Sequence, residues 1–169
     1  WAEYGEDMGV LAGDALMIYA FEVAAKAFNE VSEADDLKRV GRAIEILAAK
    51  TGIYGMIGGQ TVDVELSGGP IPKDKLDFIY RLKTGALIEA SMLIGAVLGG
   101  AAEEDCKIVE SLAGKVGLAF QIQVDILDVT GDQKVLGKEA GSDEKNQKTT
   151  YVTIEGLEKA KKDEEILSA

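Results

Sequence analysis

The chain has 169 residues, with 30 acidic and 18 basic side chains and a formal net charge of −12 at pH 7. This charge excludes a general nucleic-acid surface, which requires a basic patch, but it allows an anionic substrate where lysines are concentrated locally. The sequence contains no histidine, and Cys106 is its single cysteine. An internal disulfide, a histidine-ligated zinc site and Ser-His catalysis are therefore excluded.

Length predicts one domain, and we expect residues 1–169 to form a single helical domain. Gly, Glu or Lys interrupts each long apolar stretch well short of about 18 residues, so we expect no membrane span. The N-terminus has no basic region followed by an apolar run, and we expect a cytoplasmic protein. Because residue 1 is Trp1 rather than Met, we also expect the natural sequence to extend upstream.

Apolar residues recur at intervals of three and four along most of the chain, which predicts amphipathic helices. The predicted helices cover residues 4–28, 33–66, 73–98, 103–129, 149–155 and 157–167. Both prolines, Pro70 and Pro72, fall in a turn between the second and third helices. The sequence has no alternating strand pattern of useful length. These patterns predict an all-α fold.

Glycine is concentrated at the far end of the second helical pattern. Residues 51–60 include four glycines. Each costs about 1 kcal/mol relative to alanine inside a helix. We therefore expect another helix, or a ligand, to approach closely at this point.

A polar arc marks the end of the fourth helix. At about 100° per residue, Gln121, Asp125 and Asp128 fall on one narrow side of that helix. Carboxylates three residues apart lie one above the other and can share a cation, although such pairs are more often a solvated face. The glycine-spaced loop that follows carries Lys138 and Lys148. Together these groups can hold Mg²⁺ and a polyphosphate, because Mg²⁺ takes few protein carboxylates and fills its shell with substrate oxygens.

The third helix carries Lys83 and Thr84 at its middle, in apolar surroundings. A lysine in such a place is ordinarily a surface residue whose ammonium group reaches solvent. The functional alternative is that both side chains donate to a diphosphate, Lys83 as a point charge and Thr84 through its hydroxyl.

Three segments resemble motifs of the trans-isoprenyl diphosphate synthases, the family of farnesyl and geranylgeranyl diphosphate synthases. Residues 120–131, followed by residues 137–146, resemble the second aspartate-rich region. Residues 83–85 resemble the Lys-Thr-Gly motif, and residues 58–63 resemble the Gly-Gln-x-x-Asp segment. The chain departs from the Asp-Asp-x-x-Asp pattern at Val124, and the family's first aspartate-rich motif would lie upstream of residue 1.

The resemblance implies a helical bundle of the isoprenoid synthase type, incomplete at its N-terminus, that assembles as a homodimer. It implies condensation of isopentenyl diphosphate with an allylic diphosphate, with Mg²⁺ as cofactor. In the family, the lysine and threonine of the Lys-Thr-Gly motif contact the allylic diphosphate, and the loop lysines reach the magnesium-bound diphosphate. The implied metal ligands are Asp125 and Asp128. The implied substrate-binding residues are Gln60, Lys83, Thr84, Gln121, Lys138 and Lys148, with Lys83, Thr84 and Gln121 also catalytic.

Val124 leaves a second hypothesis open. A valine cannot coordinate Mg²⁺, so Asp125 or Asp128 must substitute for the missing aspartate or the metal is lost. The competing hypothesis is a non-catalytic helical subunit that binds a partner synthase or a prenyl chain. For the 169-residue chain alone, we expect little or no turnover.

Overall fold

The fold is taken from a computed structural model that describes residues 2–131, 143 and 148–169. Within these ranges the chain forms eight α-helices. They are α1 (Glu6–Ala25), α2 (Ala34–Thr51), α3 (Met56–Glu65), α4 (Lys73–Ile79), α5 (Ala86–Leu98), α6 (Glu103–Thr130), α7 (Tyr151–Glu155) and α8 (Leu157–Ser168). No strand occurs in the described ranges, and the predicted all-α fold is confirmed.

The predicted helix over residues 33–66 is two helices, α2 and α3, separated by a short break. Gly52 ends α2 in an extended conformation, with φ −76° and ψ −161°. At Gly55 a Cβ atom would lie 2.0 Å from the carbonyl oxygen of Lys50. The chain folds back on the end of α2 so tightly that only glycine fits at this position, and for that reason the apolar period continues while the helix does not.

The predicted helix over residues 73–98 is one continuous helical segment whose α-helical pattern is interrupted near its middle. Between α4 and α5, residues Tyr80–Gly85 form a π-helical turn. Such turns widen the helix locally and occur often at functional sites. This π-turn contains the predicted Lys83 and Thr84.

The core lies where α5 and α6 pack together, with α2 on the other side of α5 and α8 along α6. One buried cluster joins the π-turn, α6 and the C-terminal helices, and it comprises Ile71, Leu76, Ile79, Tyr80, Ile122, Ile126, Tyr151 and Ala160. A second cluster joins α2 to α5 through Ile46, Ala90 and Leu93. Full burial of one such Ile or Leu side chain contributes about 1.5–3 kcal/mol. Because the first cluster packs the π-turn against α6, it stabilises the two elements that carry the predicted site residues.

The first helix is apolar and lies outside the core. None of the residues of α1 is buried. With the 3₁₀ turn that follows it, Glu6–Asn29 is long and apolar enough to cross a membrane by length and composition, although the sequence predicted no such segment. One helix of this kind near the N-terminus is weak evidence for a span, because core helices and signal sequences share its composition.

Candidate functional site

Lys83 is held at the surface of the π-turn by a carboxylate from α3. Its Nζ atom lies 2.5 Å from Oδ2 of Asp63, and the lysine side chain is 36% exposed while that of Asp63 is 17% exposed. A lysine is a compact charge on a flexible stem, so it can leave one anion for another. Lys83 is thus half-exposed, paired and able to turn toward a ligand.

Thr84, the next residue, ties the π-turn to α6. The Thr84 hydroxyl donates to Oε1 of Gln121 at 3.1 Å. The Gln121 amide in turn donates to Oδ1 of Asp125 at 3.4 Å, one helical turn further along α6. These bonds join the Lys-Thr-Gly segment to the polar arc, as expected if both serve one site.

Asp125 is buried, and protein groups surround its carboxylate. Only 2% of its surface is exposed. Its Oδ2 atom accepts hydrogen bonds from the Tyr80 hydroxyl and, at 2.8 Å, from the main-chain N–H of Tyr151. Burial raises the pKa of the Asp125 carboxyl, while the bonds from Tyr80, Tyr151 and Gln121 oppose that shift. Every one of these donors comes from the protein itself.

Asp128 lies one turn further along and borders a cavity. It is 2% exposed, and its Oδ2 atom accepts a hydrogen bond from the main-chain N–H of Asp143 at 3.0 Å. The carboxylate of Asp143 lies 3.6 Å from Nζ of Lys148. Asp128 and Lys148 are therefore joined through a single residue, which supports the predicted placement of an acidic pair beside a loop lysine.

The cavity itself has a volume of about 620 Å³. Among the described residues its wall comprises Gly68, Gly69, Pro70, Asp125, Asp128, Val129, Asp143, Lys148, Thr149, Thr150 and Thr153. The predicted residues Asp125, Asp128 and Lys148 thus share one cavity. Gln60 is exposed on α3 and lines a separate shallow groove with Met56 and Val64. Lys138 lies outside the described residues.

Two glycines allow the π-turn to lie directly against its neighbours. A Cβ atom on Gly59 would lie 2.3 Å from the main-chain nitrogen of Lys83 and 2.8 Å from Cβ of Leu82. A Cβ atom on Gly117 of α6 would lie 2.9 Å from Cα of Gly85. The close approach expected at the glycine-rich segment is therefore made by the helix turn that carries Lys83.

Replacing Gly59 by alanine is expected to lower the free energy of unfolding by about 2 kcal/mol or more, because the added methyl group overlaps main-chain atoms that cannot move aside freely. The matched control is Gly41→Ala in α2, where a Cβ atom meets nothing within 4 Å. That change is expected to stabilise the helix by about 0.5–1 kcal/mol. Urea denaturation measures both effects, and equal effects at the two positions would contradict the close contact.

A second groove, the α2–α5–α6 groove, also collects cations. Its volume is about 410 Å³, and its wall includes Lys38, Arg39, Arg42, Lys50 and Lys107. Several of these cations already have partners. Arg39 lies 2.6 Å from Asp36, Arg42 lies 2.8 Å from Glu45, and Lys50 bridges Glu89 and Glu110 at 2.5 and 2.9 Å. This groove is the natural competitor of the candidate site for an anion.

The acidic residues fit Mg²⁺ only in a limited way. The described residues contain no group of three or more Asp, Glu, His or Cys that could hold a metal ion. Both oxygens of Asp125 accept protein hydrogen bonds, and Val124 offers no ligand atom. Asp128 borders the cavity and suits a Mg²⁺ ion that needs one carboxylate and takes its other ligands from a diphosphate and water. The assignment of both aspartates as metal ligands stays a prediction.

Sequence reasoning missed Tyr80 and Tyr151. Tyr80 continues the apolar pattern of the third predicted helix, and Tyr151 begins a short helix far along the chain. The available signal was chemical, because a tyrosine in a core needs a partner for its hydroxyl. The partner, Asp125, is 45 residues away from Tyr80 and could not be identified from spacing.

Comparison with known proteins shows the family of this chain. A family model described as polyprenyl synthetase matches residues 1–169. The chain is 42% identical over 161 residues to the farnesyl diphosphate synthase of Escherichia coli (strain K12), a match that covers 95% of this chain and 53% of that protein. It is 43% identical to the chloroplastic heterodimeric geranylgeranyl pyrophosphate synthase large subunit 1 of Arabidopsis thaliana, covering 94% and 43% of the two chains.

A solved structure shows the same fold. A geranyltransferase from Helicobacter pylori, complexed with magnesium and isoprenyl diphosphate, matches with a TM-score of 0.83 and 36% identity, over 98% of this chain and 52% of that one. The class is therefore an all-helical protein of the isoprenoid synthase fold. The chain belongs to the polyprenyl synthetase family, which confirms the resemblance found in the sequence. It spans about half the length of the curated relatives it matches.

Proposed function

We propose that this chain provides the diphosphate-binding part of a short-chain trans-prenyltransferase. The reaction is condensation of isopentenyl diphosphate with an allylic diphosphate, namely dimethylallyl, geranyl or farnesyl diphosphate. Family membership supports this proposal. The structural observation that carries it is the hydrogen-bonded path from Thr84 through Gln121 to Asp125, which joins the Lys-Thr-Gly turn to the acidic end of α6.

The residues of this chain act on the diphosphate leaving group of the allylic substrate. In the reaction the bond from the allylic carbon to the diphosphate oxygen breaks, and the bonding electrons stay on the diphosphate. Lys83 and Lys148 supply positive charge to the leaving diphosphate, and the Thr84 hydroxyl, once it leaves Gln121, donates a hydrogen bond to it. The isopentenyl double bond then attacks the allylic cation and forms the new carbon–carbon bond, and the cation that results loses a proton to the released diphosphate to form a double bond.

Magnesium belongs to the same proposal. Mg²⁺ would be held by Asp128 together with the diphosphate, and when bound it neutralises charge on the leaving group. Asp63 has a complementary role, because its ion pair with Lys83 keeps that lysine placed and must open before the ammonium group reaches a phosphate. The homodimer and the cytoplasmic location stay predictions from the resemblance.

Titration calorimetry of the 169-residue chain with dimethylallyl diphosphate tests the proposal. We expect binding in the presence of MgCl₂ and much weaker binding when EDTA removes the metal. Absence of binding under both conditions would contradict the proposal. Turnover of isopentenyl and dimethylallyl diphosphate by this chain alone would contradict the expectation that it is inactive by itself.

Val124 favours the second candidate, a non-catalytic subunit that binds prenyl diphosphates or a partner synthase. Val124→Asp distinguishes the two functions, because a new carboxylate at this position adds a metal ligand only if the site is built to use one. A rise in the Mg²⁺-dependent affinity for dimethylallyl diphosphate shows that valine occupies a ligand position. Unchanged affinity shows that it does not.

A further inference from the structure

Tyr80 joins three separate parts of the fold through its hydroxyl group. It is the first residue of the π-turn and is 4% exposed. Its hydroxyl donates to Oδ2 of Asp125 on α6. The main-chain N–H of Tyr151, at the start of α7, donates to the same carboxylate oxygen at 2.8 Å and lies 3.2 Å from the Tyr80 hydroxyl.

The Tyr80 hydroxyl is a permanent donor. A phenol is protonated at neutral pH, so the Tyr80 hydroxyl keeps its single proton and donates it in a hydrogen bond to the Asp125 carboxylate. An O–H group that donates to a carboxylate is a strong and directional contact, so it sets the position of the ring relative to α6.

The π-turn is thus fastened to α6 at two points, one at each side of Lys83. Tyr80 contacts Asp125, and Thr84 contacts Gln121. In the ligand-free chain these two hydrogen bonds, together with the close packing at Gly59 and Gly117, fix the rotation of the turn relative to α6. Small misplacements of a binding group weaken its effect steeply, so the rotation of this turn matters for the direction of the Lys83 side chain.

We propose that Tyr80 is a positioning residue for the diphosphate site: its hydroxyl, bonded to Asp125 beside the Tyr151 N–H, holds the turn that presents Lys83 and Thr84. Asp125 then acts as the anchor for this turn and not as a metal ligand, which differs from the role predicted from the sequence. The identity of the ligand rests on the proposed function. The role of the Tyr80 hydroxyl in holding the π-turn does not depend on the proposed function.

The test compares Tyr80→Phe with Tyr151→Phe. Both changes remove one hydroxyl from the same buried cluster, but the Tyr151 hydroxyl donates to Asp163 on α8 at 2.8 Å, away from the π-turn, and the main-chain N–H of Tyr151 is retained. Amide hydrogen exchange of residues 83–85 is measured in the ligand-free chain. Affinity for inorganic pyrophosphate with MgCl₂ is measured by calorimetry, and urea denaturation gives the stability of each variant.

We expect Tyr80→Phe to accelerate exchange at residues 83–85 by about tenfold relative to Tyr151→Phe, since only the first variant loses a buried hydrogen bond that attaches the π-turn to α6. We also expect about tenfold weaker pyrophosphate binding in Tyr80→Phe and less than about twofold change in Tyr151→Phe. Equal exchange in the two variants would overturn the proposal. If the unaltered chain binds no pyrophosphate, the proposed function fails, while the exchange data still decide the role of Tyr80.

Discussion

Lys83→Met is expected to weaken binding of dimethylallyl diphosphate in MgCl₂ by about tenfold to a hundredfold, because a charge-assisted hydrogen bond contributes about 1.5–3 kcal/mol. The variant also leaves the Asp63 carboxylate without the cation that lies 2.5 Å away, so an anion meets added repulsion. Methionine keeps the length and apolar stem of lysine and removes only the charge. Titration calorimetry measures the loss.

Lys73→Met is the matched control for this change. Lys73 is the first residue of the same helical segment, is 44% exposed and pairs with Glu155 at 3.1 Å. The same charge is lost from the protein, and therefore any general electrostatic effect on an anion appears in both variants. We expect the control to bind within about twofold of the unaltered chain, since exposed ion pairs contribute little. Equal losses of affinity in Lys83→Met and Lys73→Met would show that the effect comes from net charge and that Lys83 does not belong to the binding site.

Asp125→Ala is expected to lower the free energy of unfolding by about 2–4 kcal/mol, because the Tyr80 hydroxyl and the Tyr151 N–H lose their buried acceptor and each unsatisfied donor costs about 1–3 kcal/mol. Relief of the buried charge offsets part of this loss. Urea denaturation at neutral pH measures the difference.

Asp163→Ala serves as the comparison. Asp163 accepts a hydrogen bond from the hydroxyl of Tyr151, whereas Asp125 accepts one from the main-chain N–H of the same residue. The Asp163 carboxylate is partly exposed, its side chain being 27% accessible, so water can replace it as the acceptor and the loss of stability is expected to be much smaller. A loss in Asp125→Ala no larger than in Asp163→Ala would show that the Asp125 carboxylate is not the anchor for Tyr80.

Much of the fold could be predicted because its helices are amphipathic. The bounds of α5 and α6 agree with the predicted ends at residues 98 and 129 to within one residue. The break at Gly52 and Gly55 was not visible, because apolar spacing continues through it while the chain folds back on the carbonyl of Lys50. The π-turn was not visible either, since the residues of Tyr80–Gly85 suit an α-helix equally well.

The candidate site, like the fold, could be predicted from the sequence only in part. The arc of Gln121, Asp125 and Asp128 follows from helical geometry alone. In the structure Asp125 and Asp128 line the cavity, and Gln121 donates a hydrogen bond to Asp125. Spacing could not show that Asp125 is surrounded by protein donors, because those donors come from residues 80 and 151. Gln60 lies in its predicted segment, but its side chain is exposed on a different groove. A motif therefore predicts which segments meet and leaves open which atoms face the ligand.

Titration of the isotope-labelled chain with magnesium pyrophosphate, followed by amide chemical shifts, tests the central claim most directly. We predict that the shifts that change belong to Lys83, Thr84, Gln121, Asp128 and Lys148, around one site at the end of α6. Changes centred instead on Arg39, Arg42 and Lys107 would place the anion in the α2–α5–α6 groove and contradict the proposed site.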